Sequence, residues 1–343
     1  GTSFTSTSGA PLAEHFTEYQ GRVWAARGTA VSGTNTDLFY STTGTATDWT
    51  TDSSSIRIPG AGRVNSVYKV GGNLTPTKDS GLVFTFDGYN LLDNANNFGP
   101  TSPYSLGSFA DAKFFLNRRG VFQHVGGVPQ LKSLPVERQI FNNAGSGIAG
   151  TVFDNAPGVV HKYDYFVGVG TVTDDLTEYT VANAVLKYDI RTDEWVNWKF
   201  ADRPYSFHSF RDKDGIDQLI FGDNGGQCYK LSGTTNSDNG KAIEVQLMGV
   251  LNGGTLEEKE WRRITGMFNP GCQASIQICI SDTFTPRTLK WQDLGSAVDG
   301  VVEYGFPAGS RGRFLFWKIS ESSTNARFQF LGWEFDVKVI PPR

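Results

Sequence analysis

Residues 187–198 read KYDIRTDEWVNW, and this stretch decides the fold. Two short apolar runs flank a polar turn, which is the pattern of a β-hairpin. Asp189 and Thr192 carry side chains able to hydrogen-bond the turn backbone, and Trp195 and Trp198 can pack on the faces of a sheet. Upstream, residues 163–170 (YDYFVGVG) and 184–189 (AVLKYD) are strand-like, and residues 195–200 follow at once. A similar turn without the tryptophan pair lies at residues 220–229 (IFGDNGGQCY).

The same unit recurs on both sides of this hairpin: an apolar strand, a turn, a second strand ending in an aromatic, then a Gly-rich break. Five such units start near Gly21, Arg63, Lys113, Tyr163 and Tyr205. Their spacing of roughly 40 to 50 residues is that of a four-stranded blade. Residues 21–27 (GRVWAAR) and 37–41 (DLFYS) belong to the first, and 64–70 (VNSVYKV) and 82–86 (LVFTF) to the second. Residues 113–116 (KFFL) lead through 117–120 into 121–125 (VFQHV), and residues 205–210, 218–221 and 227–231 complete the series. The pattern predicts an all-β fold: a β-propeller of about five to six blades over residues 17–236, after an N-terminal arm at 1–16. The polar stretch 234–240 (TTNSDNG) marks a domain boundary. Beyond it, longer alternating strands at 243–250, 262–268, 274–280, 301–306, 314–319 and 327–339 predict a β-sandwich over residues 241–343. Only residues 256–263 and 11–19 suit a helical turn or two.

Composition agrees. Of 343 residues, 13% are aromatic and 40 are Gly, with only 19% charged, which is poor material for helices and good material for strands and tight turns. A net charge of −4 gives no basic surface for nucleic acid. No run of 18 apolar residues is present, so no membrane span is expected. The start, GTSFTSTSGAP, has neither an initiator Met nor the layout of a signal peptide, which suggests processing or a fragment.

Chemistry-bearing motifs are sparse. Cys228, Cys272 and Cys279 make no disulfide framework and read as small buried hydrophobes; the spacing of Cys272 and Cys279 would put them on opposite faces of one strand. His15, His124, His161 and His208 are scattered, without metal-ligand spacing. Residues 211–217 (RDKDGID) carry Asp212, Asp214 and Asp217 in a loop similar to a calcium loop, but without its later Glu; they read as caps of a hairpin turn. Asp174 and Asp175 read as a solvated turn. Residues 281–291 (SDTFTPRTLKW) are loosely similar to the boxes of sialidase-like propellers and lack their Gly. Tyr89, Tyr104 and Trp333 are aromatics that, if exposed, could stack on sugars or a partner chain. These readings expect no catalytic, cofactor-binding or metal-ligating residue, no cofactor, and a chain that is not an enzyme.

Three groups of residues carry a family resemblance. Residues 18–49 hold an apolar GRVW strand, an LFYS strand and a TDW close; residues 185–198 and 222–231 hold the two-tryptophan hairpin and GDNGGQCYKL. Residues 261–267 (WRRITGM), 275–281, 312–319 (GRFLFWKI) and 326–335 make the third. Together they resemble the β-propeller neck, stem and tail-nozzle proteins of tailed bacteriophages. The resemblance implies a virion structural protein, a homo-oligomeric ring of copies beside other neck and tail components, with genome DNA passing through without specific binding. The alternative is a carbohydrate- or receptor-binding module, or a propeller glycoside hydrolase, whose carboxylates would meet in space rather than in sequence.

Overall fold

The computed structural model describes residues 11, 13–26, 36–49, 54–140, 148, 150–173, 180–231, 237, 238, 241, 242, 245–284, 289–322 and 328–341. The chain divides into two compact units. The first comprises Gly1–Thr173, Val181–Asn197 and Asp202–Leu231; the second comprises Asp174–Thr180, Trp198–Ala201 and Ser232–Arg343.

Small antiparallel sheets follow one another in chain order, one for each repeat read in the sequence. Strands β1 (His15–Tyr19), β2 (Arg22–Ala26), β3 (Asp37–Tyr40) and β4 (Ser54–Arg57) form the first. The second holds β5 (Val64–Val70), β6 (Asn73–Lys78), β7 (Val83–Phe86) and β8 (Leu91–Ala95). The third holds β9 (Gly107–Phe109), β10 (Ala112–Asn117), β11 (Gly120–His124) and β12 (Gln130–Leu131). The fourth holds β13 (Gly158–His161), β14 (Asp164–Thr173), β15 (Thr180–Asp189) and β16 (Glu194–Lys199). The last has β17 (Ser206–Arg211), β18 (Asp217–Gly222) and β19 (Cys228–Lys230). Each is a meander in which neighbours in sequence are neighbours in space, so every connection is a local hairpin. Opening strands of successive sheets lie side by side: β1 beside β5, β9 beside β13, and β13 beside β17.

Hairpin chemistry is local. Gly71 and Gly72 join β5 to β6 with φ of 56° and 77°, the two consecutive left-handed positions of a tight hairpin turn. In the 187–198 hairpin, the Asp189 carboxylate accepts the backbone N–H of Arg191 at 2.9 Å and of Thr192 at 3.4 Å. Thr192 instead donates its hydroxyl to Glu194. Trp195 lies on Tyr188 with ring centroids 4.9 Å apart, and its indole N–H reaches the Lys132 carbonyl at 3.1 Å.

Behind β5, β10 and β11, buried Tyr68, Phe115 and Phe122 pack as one cluster. His124, fully buried, completes it: its Nε2 lies 3.0 Å from the Gly127 carbonyl and its Nδ1 3.2 Å from the Tyr68 hydroxyl. A carbonyl only accepts, so Nε2 carries the hydrogen and Nδ1 accepts from Tyr68. Burial lowers the His124 pKa from the ordinary 6.5, against a smaller opposing effect of the Gly127 hydrogen bond. The folded state thus favours the neutral ring. Stability from this site is present above the unfolded value of 6.5 and is lost progressively as pH falls from there through the lower folded value. Burial lowers His15 and His161 in the same direction. We expect the melting temperature to fall between pH 7 and pH 5, with His124→Gln removing up to about 1.4 kcal/mol per pH unit of that dependence. An unchanged slope in the variant would show that His124 does not contribute.

The second unit contains β20 (Ser237–Asp238), β21 (Lys241–Ala242), β22 (Val245–Leu251), β23 (Lys259–Phe268), β24 (Ser275–Ser281), β25 (Gln292–Ser296), β26 (Val301–Gly305), β27 (Arg311–Gly312), β28 (Phe314–Glu321) and β29 (Phe330–Val339). One antiparallel sheet runs β22–β28–β24–β25; in the other, β23 pairs with β26 and β27 and also with β29. Their inner residues share a core: Trp261, Ile264, Phe268 and Val302 from one sheet meet Ile276, Ile278, Leu315 and Ile319 from the other. This is the layering of a β-sandwich.

Several expectations are corrected. The described residues of 256–263 and 11–19 are not helical: Lys259–Phe268 and His15–Tyr19 are strands, and the first of them turns Trp261, Ile264 and Phe268 into the core. The last two residues of the predicted arm, His15 and Phe16, belong to β1. Short helices occur instead at α1 (Glu137–Ile140) and α2 (Gly150–Asn155). Cys228 is exposed, since β19 is a three-residue edge strand whose alternation turns Cys228 and Lys230 outward. Cys272 precedes β24 and is buried, while Cys279 lies within it. The turn at Asp174 and Asp175 lies outside the described residues, as does most of the boundary stretch 234–240. No helix among the described residues is long and apolar enough to cross a membrane.

Candidate functional site

Three loops of the first unit surround a cleft of about 450 Å³, lined by Asp79, Ser80, Gly81, Asn97, Thr101, Asn117, Arg118 and Arg119. They are the β6–β7 turn, the segment after β8, and the β10–β11 turn. Nothing along the chain marks them as a group.

Gly81 fixes the first wall. Its amide closes the turn on the Lys78 carbonyl at 2.8 Å, and its own carbonyl accepts the N–H groups of Phe98 and Gly99 at 3.0 and 2.9 Å. With φ of +88° and the Asn97 Cα 2.8 Å from where a Cβ would sit, only glycine fits. Asn97 itself takes the left-handed conformation, φ 66°, which Asn tolerates better than most residues. Asp79 accepts the Arg63 amide at 2.9 Å, and the Ser80 hydroxyl donates to the Ala61 carbonyl at 2.7 Å, so both polar side chains are held from the far side.

The opposite wall is tied to the same segment. Buried Asn117 donates its amide to the Gly99 carbonyl and accepts the Arg119 N–H at 2.8 Å. Thr101 bridges in the same way: its amide bonds the Leu116 carbonyl at 3.0 Å and its hydroxyl accepts the Arg118 N–H at 3.0 Å. Beneath lies a buried polar chain, in which Asn65 donates to the Pro100 carbonyl at 2.9 Å and accepts from Thr77, itself paired to Ser66. Such fully paired networks rigidify what they support.

At the rim, Arg119 lies over the Phe98 ring, 5.4 Å from its centroid, and Arg118 is 3.7 Å from the Asp154 carboxylate. The lining thus offers two guanidiniums, two carboxamides, hydroxyls and one carboxylate. These are donors and acceptors for a polar ligand. Glycosidic hydrolysis by the usual route needs two carboxylates flanking the bond, and the lining supplies one.

The sequence candidates fall elsewhere. Tyr89 is 93% exposed at the β7–β8 turn, where the Asp87 carboxylate accepts the amides of Tyr89 and Asn90 at 2.8 and 2.6 Å. Those bonds hold the Asp87 carboxyl below the usual carboxylate range. Tyr104 is partly exposed, but its hydroxyl is taken by Glu14 at 3.3 Å and its ring lies 5.2 Å from that of His15. Trp333 is not a surface aromatic: it packs on Trp317 and Phe330 against the second unit's core. Asp212 caps its hairpin by accepting the amides of Asp214 and Ile216 at 3.0 and 2.9 Å. Arg211 and Lys213 pair with Asp217 and Asp214. Among the described residues no group of three or more His, Cys, Asp or Glu is placed to hold a metal ion. Only a spatial signal could have found the cleft, since its segments are separated by blocks of core strand.

No protein-family model matches the chain, and no curated protein matches it. Solved structures similar to it include the extracellular domain of a one-component system protein from B. thetaiotaomicron, at 10% identity and TM-score 0.39. That match covers 85% of this chain but only 39% of the other, so the matched part spans well under half the length of that protein. An exo-β-1,3-galactanase from Phanerochaete chrysosporium matches at 9% identity and TM-score 0.32, over 98% of each chain. A family 43 arabinoxylan arabinofuranohydrolase from Bacillus subtilis matches at 9% identity and TM-score 0.27, over 94% of each. At these TM-scores no residue role is carried across. The expectation that the chain is not an enzyme is nonetheless corrected: glycoside hydrolases stand among its structural neighbours, and the exclusion does not hold. It rested on the absence of linear motifs, whereas catalytic carboxylates on a β scaffold come from separate strands.

Proposed function

We propose that this chain is a carbohydrate-binding protein whose first unit, read as a propeller of five blades, takes a glycan in the cleft between Asp79 and Arg119. The observation that carries this reading is the cleft itself. Its walls present carboxylate, hydroxyl and amide groups of Asp79, Ser80, Thr101 and Asn117, each held by a hydrogen bond, beside the guanidiniums of Arg118 and Arg119, whose backbone amides are tied to Thr101 and Asn117. Sugars display closely spaced hydroxyls that both donate and accept, and a rigid polar surface pairs them at little entropic cost. The Arg119–Phe98 stack adds a flat patch for a sugar face.

A glycan array probed with the full chain tests this. Arg118→Ala/Arg119→Ala is expected to weaken binding by about tenfold to a hundredfold, from the loss of charge-assisted hydrogen bonds. A wild-type chain that binds no glycan on the array would sink the reading. Incubating bound glycans with the chain and measuring released reducing ends separates binding from hydrolysis.

A second reading, a structural component of a tailed-phage virion assembled from copies of the chain with other neck or tail proteins, is supported by the resemblance of residues 18–49, 185–198, 222–231, 261–267, 275–281, 312–319 and 326–335. Imaging virions labelled through this chain tests that reading; absence from particles would end it.

A further inference from the structure

Strand β29 pairs with β23 on one side, and no strand flanks its other side among the described residues. A strand in that position shows a row of unpaired amides and carbonyls, which proteins blunt by keeping edges short or by placing Pro, bulges or inward charges in them. Phe330–Val339 is ten residues long and contains no Pro. The pairing slips at the start of β29, between Met267 and Phe268, and again between Trp261 and Arg263, where the extra residue belongs to β23, so β29 itself runs without an inserted residue from Gly332 to Val339.

The side chains of that edge are also incompletely covered. Phe335 touches the buried Trp261 ring at 6.2 Å between centroids, and Val337 packs against the second unit's core. Yet Phe335 and Val339 remain 36% and 38% exposed. The core is therefore open along this margin, on the same face as Val337.

We propose that β29 is the pairing edge for a second copy of this chain, joined antiparallel about a two-fold axis through Val337. In that register Asp336 of each copy faces Lys338 of the other, and Phe335 of each faces Val339 of the other. Directly opposed residues in an antiparallel pair stabilise when oppositely charged or both apolar, and destabilise when like-charged. Moving the axis to Phe335 sets Glu334 against Asp336 twice, and moving it to Asp336 sets that carboxylate against itself. Of these three axes only that through Val337 satisfies the charges and closes the apolar margin together. The contact is isologous, so it stops at two copies. It stands whether or not the cleft takes a glycan.

Native mass spectrometry of the full chain over a concentration series tests the proposal. The wild type is expected to pass from 37.6 kDa to twice that mass. Lys338→Glu sets two like-charged pairs across the axis, as does Asp336→Lys, and each is expected to weaken self-association about tenfold or more. An equimolar mixture of the two variants restores both attractive pairs, so the mixed dimer should recover wild-type affinity. Because both substitutions also face β23, unchanged circular dichroism confirms that each variant is folded, and recovery on mixing cannot arise from misfolded chains. A wild type that stays monomeric throughout would overturn the proposal. So would a dimer indifferent to both reversals, or variants that fail to recover on mixing.

Discussion

Gly81→Ala is expected to abolish ligand binding in the cleft and to destabilise the first unit by about 2–4 kcal/mol, from left-handed strain and a backbone clash together. An added methyl would lie 2.8 Å from the Asn97 Cα and 3.3 Å from its carbonyl carbon and amide nitrogen. These are backbone atoms, so no rotamer change relieves the contact. Either the β6–β7 turn or the segment bearing Asn97 must move. Both outcomes break the bonds from the Phe98 and Gly99 amides to the Gly81 carbonyl. They also shift Gly99, whose carbonyl holds the Asn117 side chain on the far wall. Chemical denaturation and the glycan array measure the two effects separately. Gly72→Ala is the control: it also has a positive φ, 77°, but nothing lies within 4 Å of its would-be Cβ. It should cost only the left-handed strain, about 1 kcal/mol, and leave binding intact. Equal effects in the two variants would show that the walls are not coupled through Gly81.

The strands were legible where the sequence is locally consistent. Residues 113–116 and 121–125 match β10 and β11 because KFFL and VFQHV are compact apolar runs split by a short polar turn. Residues 256–263 misled because Leu, Glu, Lys and Arg are good helix formers, and propensity is a weak prior against tertiary pairing. There β23 lies between partner strands on both sides, and Trp261 buries its ring while giving its indole N–H to the Gly312 carbonyl at 3.1 Å. Helix α2 was missed because GTVFDN is short and starts with Gly, with no cap signal to announce it. The cleft was illegible for a different reason. Its residues come from two hairpin turns and the segment that follows β8, each unremarkable singly, and only the meanders of adjacent sheets bring them together. The same separation in sequence undid the inference from missing motifs to missing catalysis.

Lys259→Ala is expected to destabilise the second unit by about 3–5 kcal/mol, the range for stripping a buried charge-assisted site of one partner. The side chain is fully buried, an environment where lysine is rare unless its ammonium is satisfied. Here Nζ donates to the Thr255 carbonyl at 2.6 Å, the Glu257 carbonyl at 2.7 Å and the Arg313 carbonyl at 3.4 Å. An ammonium has three hydrogens, so its donors match its acceptors. Burial lowers its pKa from the ordinary lysine value, with Glu257 opposing and Arg313 adding to that shift. The stem is enclosed as well, since a Cβ on Gly253 would lie 2.9 Å from Lys259 Cε. Lys259 thus ties the 252–258 loop to β23, and truncation to Ala loses both the ammonium bonds and the packed stem. Lys259→Met keeps most of the stem volume and loses only the donors, so it should cost roughly 1–3 kcal/mol. Hydrogen exchange distinguishes the two losses: both variants should release protection at Thr255, whose amide bonds the Asn252 carbonyl at 3.3 Å. Only Lys259→Ala should also loosen β23 around Trp261. If Met proves as costly as Ala, the stem contributes nothing and the ammonium alone holds the loop; if Met matches the wild type, the three carbonyl contacts are not stabilising.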